Sequence, residues 1–146
     1  MVSRVSAKIL FGAAVLAALF LLMQLKTVDR TNPPVQADLV APVAVENLLR
    51  RACYDCHSHE TRWPWYSRLA PVSWWLADHV RKGRADLNFS QWPLFDTEAQ
   101  GLFLRDIEKQ LEDGTMPLRS YLLGHPEARL TAGEKALLAE WARSGY

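Results

Sequence analysis

The chain has 146 residues, 49% of them hydrophobic and 23% charged, with a net charge of +1. That length suits one membrane segment and one small domain, and the charge is no nucleic-acid footprint. Beyond residue 26, 14 Lys and Arg stand against 16 Asp and Glu, a balance too even to build a strong single-sign field for a partner.

Residues 9–25 read ILFGAAVLAALFLLMQL, uncharged and with Gln24 as the single polar residue. These 17 residues are at the short end of what spans a bilayer. Arg4 and Lys8 before the run favour an N-terminus in the cytoplasm and a domain outside. A cleaved signal peptide would have a shorter apolar run with a small-x-small site close behind it. Lys26-Thr27-Val28-Asp29-Arg30 offers none, and Val35-Gln36-Ala37 lies far downstream. The expectation is an uncleaved signal anchor over residues 1–26, a tether over 27–41, and a folded domain over 42–146.

The tether carries Asn32-Pro33-Pro34, which resists helix. A first helix is expected from about Pro42, with Val45, Leu48, Leu49 and Ala52 on one face and Arg50 and Arg51 opposite. It leads into Cys53-Tyr54-Asp55-Cys56-His57, which holds the only two cysteines in the chain. Cys-x-x-Cys-His is the attachment signature of a c-type haem. Two thiols one helical turn apart add across the two vinyl groups of one porphyrin. The histidine after the second thiol then supplies a nitrogen to the iron from the proximal side. Three rivals are weaker. A thioredoxin-like pair needs a βαβ setting, and a structural zinc site lacks a second ligand pair. A Cys53–Cys56 disulfide would close too small a loop to stabilise much. A haem bound this way is attached outside the bacterial cytoplasmic membrane, in agreement with the leader.

Residues 58–71 are expected as a loop carrying Trp63, Trp65 and Tyr66. A second helix follows over about Val72–Lys82, with Gly83 as its stop. Residues 84–95 read as irregular. A third helix starts at a capping box of Thr97 and Gln100, with Leu102, Phe103, Ile107 and Leu111 as its apolar face and Gly114 closing it. A loop runs from Thr115 to Leu130. Thr131 and Glu134 form a second capping box for a last helix over Ala132–Arg143, with Leu137, Leu138 and Trp141 toward the core. The absence of a strand pattern makes the domain all-α. The dense aromatics Trp63, Trp65, Tyr66, Trp74, Trp75 and Trp92 are expected mostly in the core or against the haem. Arg62 and Arg68 are candidates for a haem propionate but read more simply as surface charges.

Met116 is the only methionine beyond the tether. It lies in a loop between Gly114 and Pro117, and its thioether suits the distal face of a six-coordinate iron, where soft sulfur favours the ferrous state. An ordinary core methionine is the plainer alternative. His125, in the same loop, is the best other distal candidate. His59 is too near the motif to cross the haem, and His79 lies on a predicted helix.

Asn32-Pro33-Pro34, Cys53 to Ser58, Thr61-Arg62-Trp63-Pro64-Trp65-Tyr66 and Ala70-Pro71-Val72-Ser73-Trp74 together resemble the bacterial haem-binding domain family. Gly83-Arg84, Leu87 to Trp92, Met116-Pro117 and Tyr121 to Ala128 continue the likeness, which covers about residues 32–143. The resemblance implies a cytochrome c-like helical domain wrapped around one covalent haem c and tethered or exported. Cys53, Cys56 and His57 correspond to the attachment motif and Met116 to the Met-Pro position. His59 departs from the asparagine more usual there.

The functional expectation is a periplasmic single-electron carrier held at the cytoplasmic membrane, not an enzyme. It would exchange electrons with redox partner proteins and depend on the cytochrome c maturation machinery. A redox or gas sensor, or a small peroxidase using His125 or His79 as the distal acid–base group, would need an open or labile distal position.

Overall fold

The computed structural model describes residues 4–145. Among them are seven α-helices and no named strand: α1 (Arg4–Met23), α2 (Val43–Ala52), α3 (Tyr54–His57), α4 (Val72–Asp86), α5 (Thr97–Glu112), α6 (Arg119–Gly124) and α7 (Ala132–Ser144). The all-α expectation holds, with one isolated bridge between Ala37 and Gln91.

The chain divides into two compact units. One contains the chain up to Thr31 together with Trp63–His79; the other contains Asn32–Arg62 and the chain from Val80 onward. Helix α4 begins in the first and ends in the second.

In the first unit α1 has an 18-residue stretch, Ser6–Met23, apolar enough to cross a membrane or to act as a signal sequence, with none of it buried by protein. The helix starts five residues before the apolar run and stops two residues before the run ends, so Gln24 and Leu25 lie beyond it. The rest of this unit is a 3₁₀ turn, Trp65–Arg68, and the first half of α4.

The second unit is built from amphipathic helices. On α2 the predicted face is the buried one: Val45, Leu48, Leu49 and Ala52. Its far side carries Arg50, which donates to Asp38, Glu46 and Glu60 and lies over the Tyr54 ring. The helix leads into the motif as expected and ends at its first residue. Cys53 breaks it at φ −125° and ψ −37°, and α3 restarts as a single turn.

Helix α5 packs on α7, and α7 on α2. The N-cap of α5 is Asp96, which accepts from the Ala99 amide, and not Thr97. Gln100 instead donates to the carbonyls of Trp92 and Phe95. An Asp one residue earlier presents the same oxygen acceptor, so it outcompeted the threonine. Leu104 and Leu111 are buried on α5, whereas Leu102 is exposed on the opposite arc. The capping box of Thr131 and Glu134 is present on α7, and Gly145 ends that helix at φ +69°. Leu138 and Trp141 enter the core, but Leu137 is half exposed, because its neighbour Leu138 takes the inward direction.

The expected loop between Thr115 and Leu130 contains α6 and a 3₁₀ turn, Pro126–Ala128. Both are too short to show a period in sequence. The aromatic expectation also needs correction. Trp92 is buried, but Trp65 and Trp75 are exposed.

Candidate functional site

Helix α3 is held by a dense set of local bonds. The Ser58 hydroxyl donates to the Tyr54 carbonyl at 2.7 Å and accepts from the Glu60 amide. The Thr61 hydroxyl donates to the Asp55 carbonyl at 2.8 Å. Arg84 on α4 donates to the Ser58 carbonyl, the Thr61 hydroxyl and the Asn32 side chain. The two residues between the cysteines point to different partners. Tyr54 stacks on Phe89 and donates to Asp38. Asp55 is buried, and accepts from the Arg62 amide and, at 2.7 Å, from the Tyr121 hydroxyl. These bonds join the motif to segments far away in sequence, which fixes the turn on which its side chains stand.

Helix α4 crosses behind α3 at Gly83. A Cβ there would lie 2.7 Å from the Cys56 carbonyl oxygen. The expected helix stop is therefore wrong. Helix α4 continues to Asp86, and Gly83 is inside it because the Cys56 backbone leaves no room for a side chain. Continuing the helix brings two carbonyls to the histidine. His57 Nδ1 lies 2.9 Å from the Gly83 oxygen and 3.2 Å from the Leu87 oxygen. Both partners accept, so Nδ1 carries the proton and Nε2 keeps its lone pair. Burial lowers the His57 pKa, and the two carbonyls offset part of that effect. The neutral ring is the form that ligates a metal.

His57 opens onto a cleft lined by Cys53, Leu49, Ala52, Leu87, Phe89, Ile107, Leu111, Met116 and Leu138, with Asp86, Asp106 and Gln110 as its polar lining. The enclosed cavity is about 160 Å³, smaller than the ~300–1,000 Å³ usual for a site that takes up a whole ligand. Met116 reaches it through the end of α5. Gly114 adopts φ +66°, and the amides of Thr115 and Met116 both donate to the Gln110 carbonyl. This αL closure fixes the chain where Met116 leaves the helix.

The structure thus brings Cys53, His57 and Met116 to one cleft. Cys56 lies against Gly83, one turn from Cys53. His125 is not among the lining residues. It stacks on Tyr121 and donates to that residue's carbonyl. His79 donates to the Trp75 carbonyl and stacks on its ring. His59 is buried with both nitrogens engaged, donating to the Pro34 carbonyl and accepting from Asn88. The aromatic wall of the cleft is Phe89; Trp92 and Trp141 of the same unit are buried elsewhere in its core. Arg62 is largely exposed beside Asp55. Sequence reasoning missed Asp86, Asp106 and Gln110, which look like ordinary surface residues in a helical pattern. It also missed Gly83, whose position inside an amphipathic run was the available signal.

The thiol chemistry separates the possible occupants. Burial, as the largest cause, pushes Cys53 up to about 12 and Cys56 up to about 11. Both are unbonded thiols. Neither is the low-pKa thiolate that a redox pair requires. Among the described residues no group of three or more His, Cys, Asp or Glu is arranged to hold a bare metal ion. A cleft with an apolar wall, one aimed imidazole, one thioether and two neighbouring thiols fits a haem. A family model described as a haem-binding domain matches residues 18–144. Comparison with curated proteins and with solved structures finds no match.

Proposed function

The chain belongs to the haem-binding domain family, and from that premise we propose that it is a membrane-tethered, single-haem c-type cytochrome carrying electrons one at a time on the periplasmic side. The observation that carries this reading is the shared cleft of Cys53, His57 and Met116, with the His57 ring aimed by the Gly83 and Leu87 carbonyls. Cys53 and Cys56 would hold the haem through thioethers, His57 would ligate the iron from the proximal side and Met116 from the distal side. When bound, the haem would supply a ferric–ferrous couple whose potential the ligating side chains would tune.

The chain's own residues do the rest. The carbonyls of Gly83 and Leu87 keep the proton on His57 Nδ1, so the ring cannot turn its ligating nitrogen away. Leu49, Ile107, Leu111 and Leu138 exclude water. The Gln110 carbonyl holds the Met116 loop. The apolar helix α1 would confine the domain near membrane redox proteins, its partners, after the cytochrome c maturation machinery has attached the haem. Electron transfer is favoured over a sensor or peroxidase because His125, the distal candidate in the same unit as the cleft, is stacked on Tyr121 and bonded to its carbonyl instead of lining the cleft.

The test is the optical spectrum of the full-length protein, matured with its haem, oxidised and then reduced with and without carbon monoxide. A low-spin haem with a sulfur-to-iron charge-transfer band and no carbon monoxide response is expected. A high-spin or carbon monoxide-reactive haem would move the function to sensing or catalysis, and haem removable by acid–acetone would end the covalent reading.

A further inference from the structure

The segment between Trp63 and Trp75 is folded inside out. Its small residues face inward: Ser67 is 1% exposed, Ala70 3% and Ser73 4%. Its large apolar residues face outward: Trp65 is 75% exposed, Leu69 41%, Val72 42% and Trp75 46%. In water this arrangement forfeits the burial of four large apolar side chains, each worth ~1.5–3 kcal/mol when fully covered. Arg68 also faces outward among them.

The same segment is bonded to the end of α1. The Gln24 side chain grips Ala70 from both sides, accepting from its amide at 2.9 Å and donating to its carbonyl at 3.3 Å. Trp74 Nε1 donates to the Lys26 carbonyl at 3.3 Å, and the Lys26 ammonium lies 5.1 Å from the Trp74 ring centre. Arg30 donates to the Ser67 carbonyl at 3.1 Å. Gln24 directly follows the last residue of α1, a helix of 20 residues. At ~1.5 Å per residue such a helix matches the ~30 Å hydrocarbon thickness, so its end reaches the headgroup layer.

We propose that Trp65, Leu69, Val72 and Trp75 form a docking surface that seats in the lipid headgroup and upper acyl layer beside the end of α1. This rests on the reading of α1 as a membrane anchor. The occupant is lipid because the bonds of Gln24 and Lys26 hold the segment at the level where a spanning helix leaves the bilayer. Tryptophan is the residue that level favours, having an apolar body and a polar edge. Lys26 and Arg68 supply cations suited to lipid phosphate. The anchor and the docking surface are thus one device, and the Gln24–Ala70 pair makes the end of α1 part of a folded unit instead of a free leader.

The test uses the full-length, haem-loaded protein labelled with fluorotryptophan in discs of phosphatidylethanolamine and phosphatidylglycerol. Fluorine resonances of Trp65 and Trp75 are assigned with Trp65→Phe and Trp75→Phe. A lipid carrying a spin label high on its acyl chain should bleach both resonances, an aqueous gadolinium chelate should spare them, and buried Trp92 should respond to neither. Bleaching by the chelate alone overturns the proposal in favour of open solvent. Protection from both reagents overturns it in favour of a second copy or another protein on this surface. A carbonate wash of cell membranes separates the two readings. Protein that resists the wash but shows chelate bleaching fails only the docking surface, whereas protein released by the wash fails the anchor and the docking surface with it.

Discussion

Gly83 packs against Cys56 so closely that a Cβ on the glycine would stand 2.7 Å from the cysteine's carbonyl oxygen. The neighbour is backbone, which cannot swing aside as a side chain would. The same glycine offers its own carbonyl to His57 Nδ1. One residue therefore sets both the spacing of α4 from the motif turn and the direction of the imidazole.

Gly83→Ala is accordingly expected to destabilise the protein although alanine is the better helix former. Local propensity would add up to ~1 kcal/mol of stability, while overpacking against a fixed backbone costs ~1–3 kcal/mol. Denaturant unfolding of the haem-loaded protein should show a net loss. A stabilised variant would mean that α4 and α3 are not in contact in solution.

Met116→Ala is expected to leave haem covalently attached, lower the reduction potential and open the iron to carbon monoxide. On the proposed ligation the soft thioether favours the ferrous state and would fill the distal position. Potentiometry and carbon monoxide difference spectra read these effects directly. An unchanged spectrum and potential would sink the His/Met assignment and return attention to His125.

His59→Leu tests a structural histidine against a ligand. The buried ring joins the Pro34 carbonyl to Asn88, and Asn88 in turn accepts from the Ser90 amide. Leucine removes the acceptor of one buried Asn88 N–H, at ~1–3 kcal/mol, while the carbonyl of exposed Pro34 can turn to water. Stability should fall while the haem spectrum stays as in the parent. A changed axial signature would show that His59 reaches the iron.

Glu134 gives the protein an acid-side weakness at the start of α7. Its pKa is lowered, first by the Thr131 amide and then by Arg51. A carboxylate with a depressed folded-state pKa contributes stability that is fully present above its unfolded value, ordinarily ~4.3, and lost as pH falls through the folded value. Glu134→Gln should therefore lower stability at neutral pH, and the gap from the parent should shrink as the pH falls below ~4.3. A gap that stays constant down to pH ~2 would show that the charge is irrelevant.

Part of this molecule was legible locally. The Thr131–Glu134 box and the αL glycine after α5 depend on groups within one turn of each other, so residue types and spacing were enough. The same holds for the buried face of α2. At α5 the local signal was ambiguous, since Asp96 and Thr97 both offer an N-cap oxygen and geometry chose between them. The exposed Trp65 and Trp75 were misjudged because a large ring by itself tells only that area must be covered, and not by what.

The sequence by itself determined the all-α class, the apolar leader and the likeness to a haem-binding family. Each depends on side-chain types at short fixed spacings or on helix periodicity, which are local properties of the chain. Only the tertiary structure decided which carbonyls hold the His57 proton, why Gly83 sits inside a helix and that Tyr121 satisfies Asp55. It also decided that Met116 and His57, 59 residues apart, line one cleft. These are contacts between segments far apart along the chain. Their partners are selected by packing distance, which no period in the sequence records.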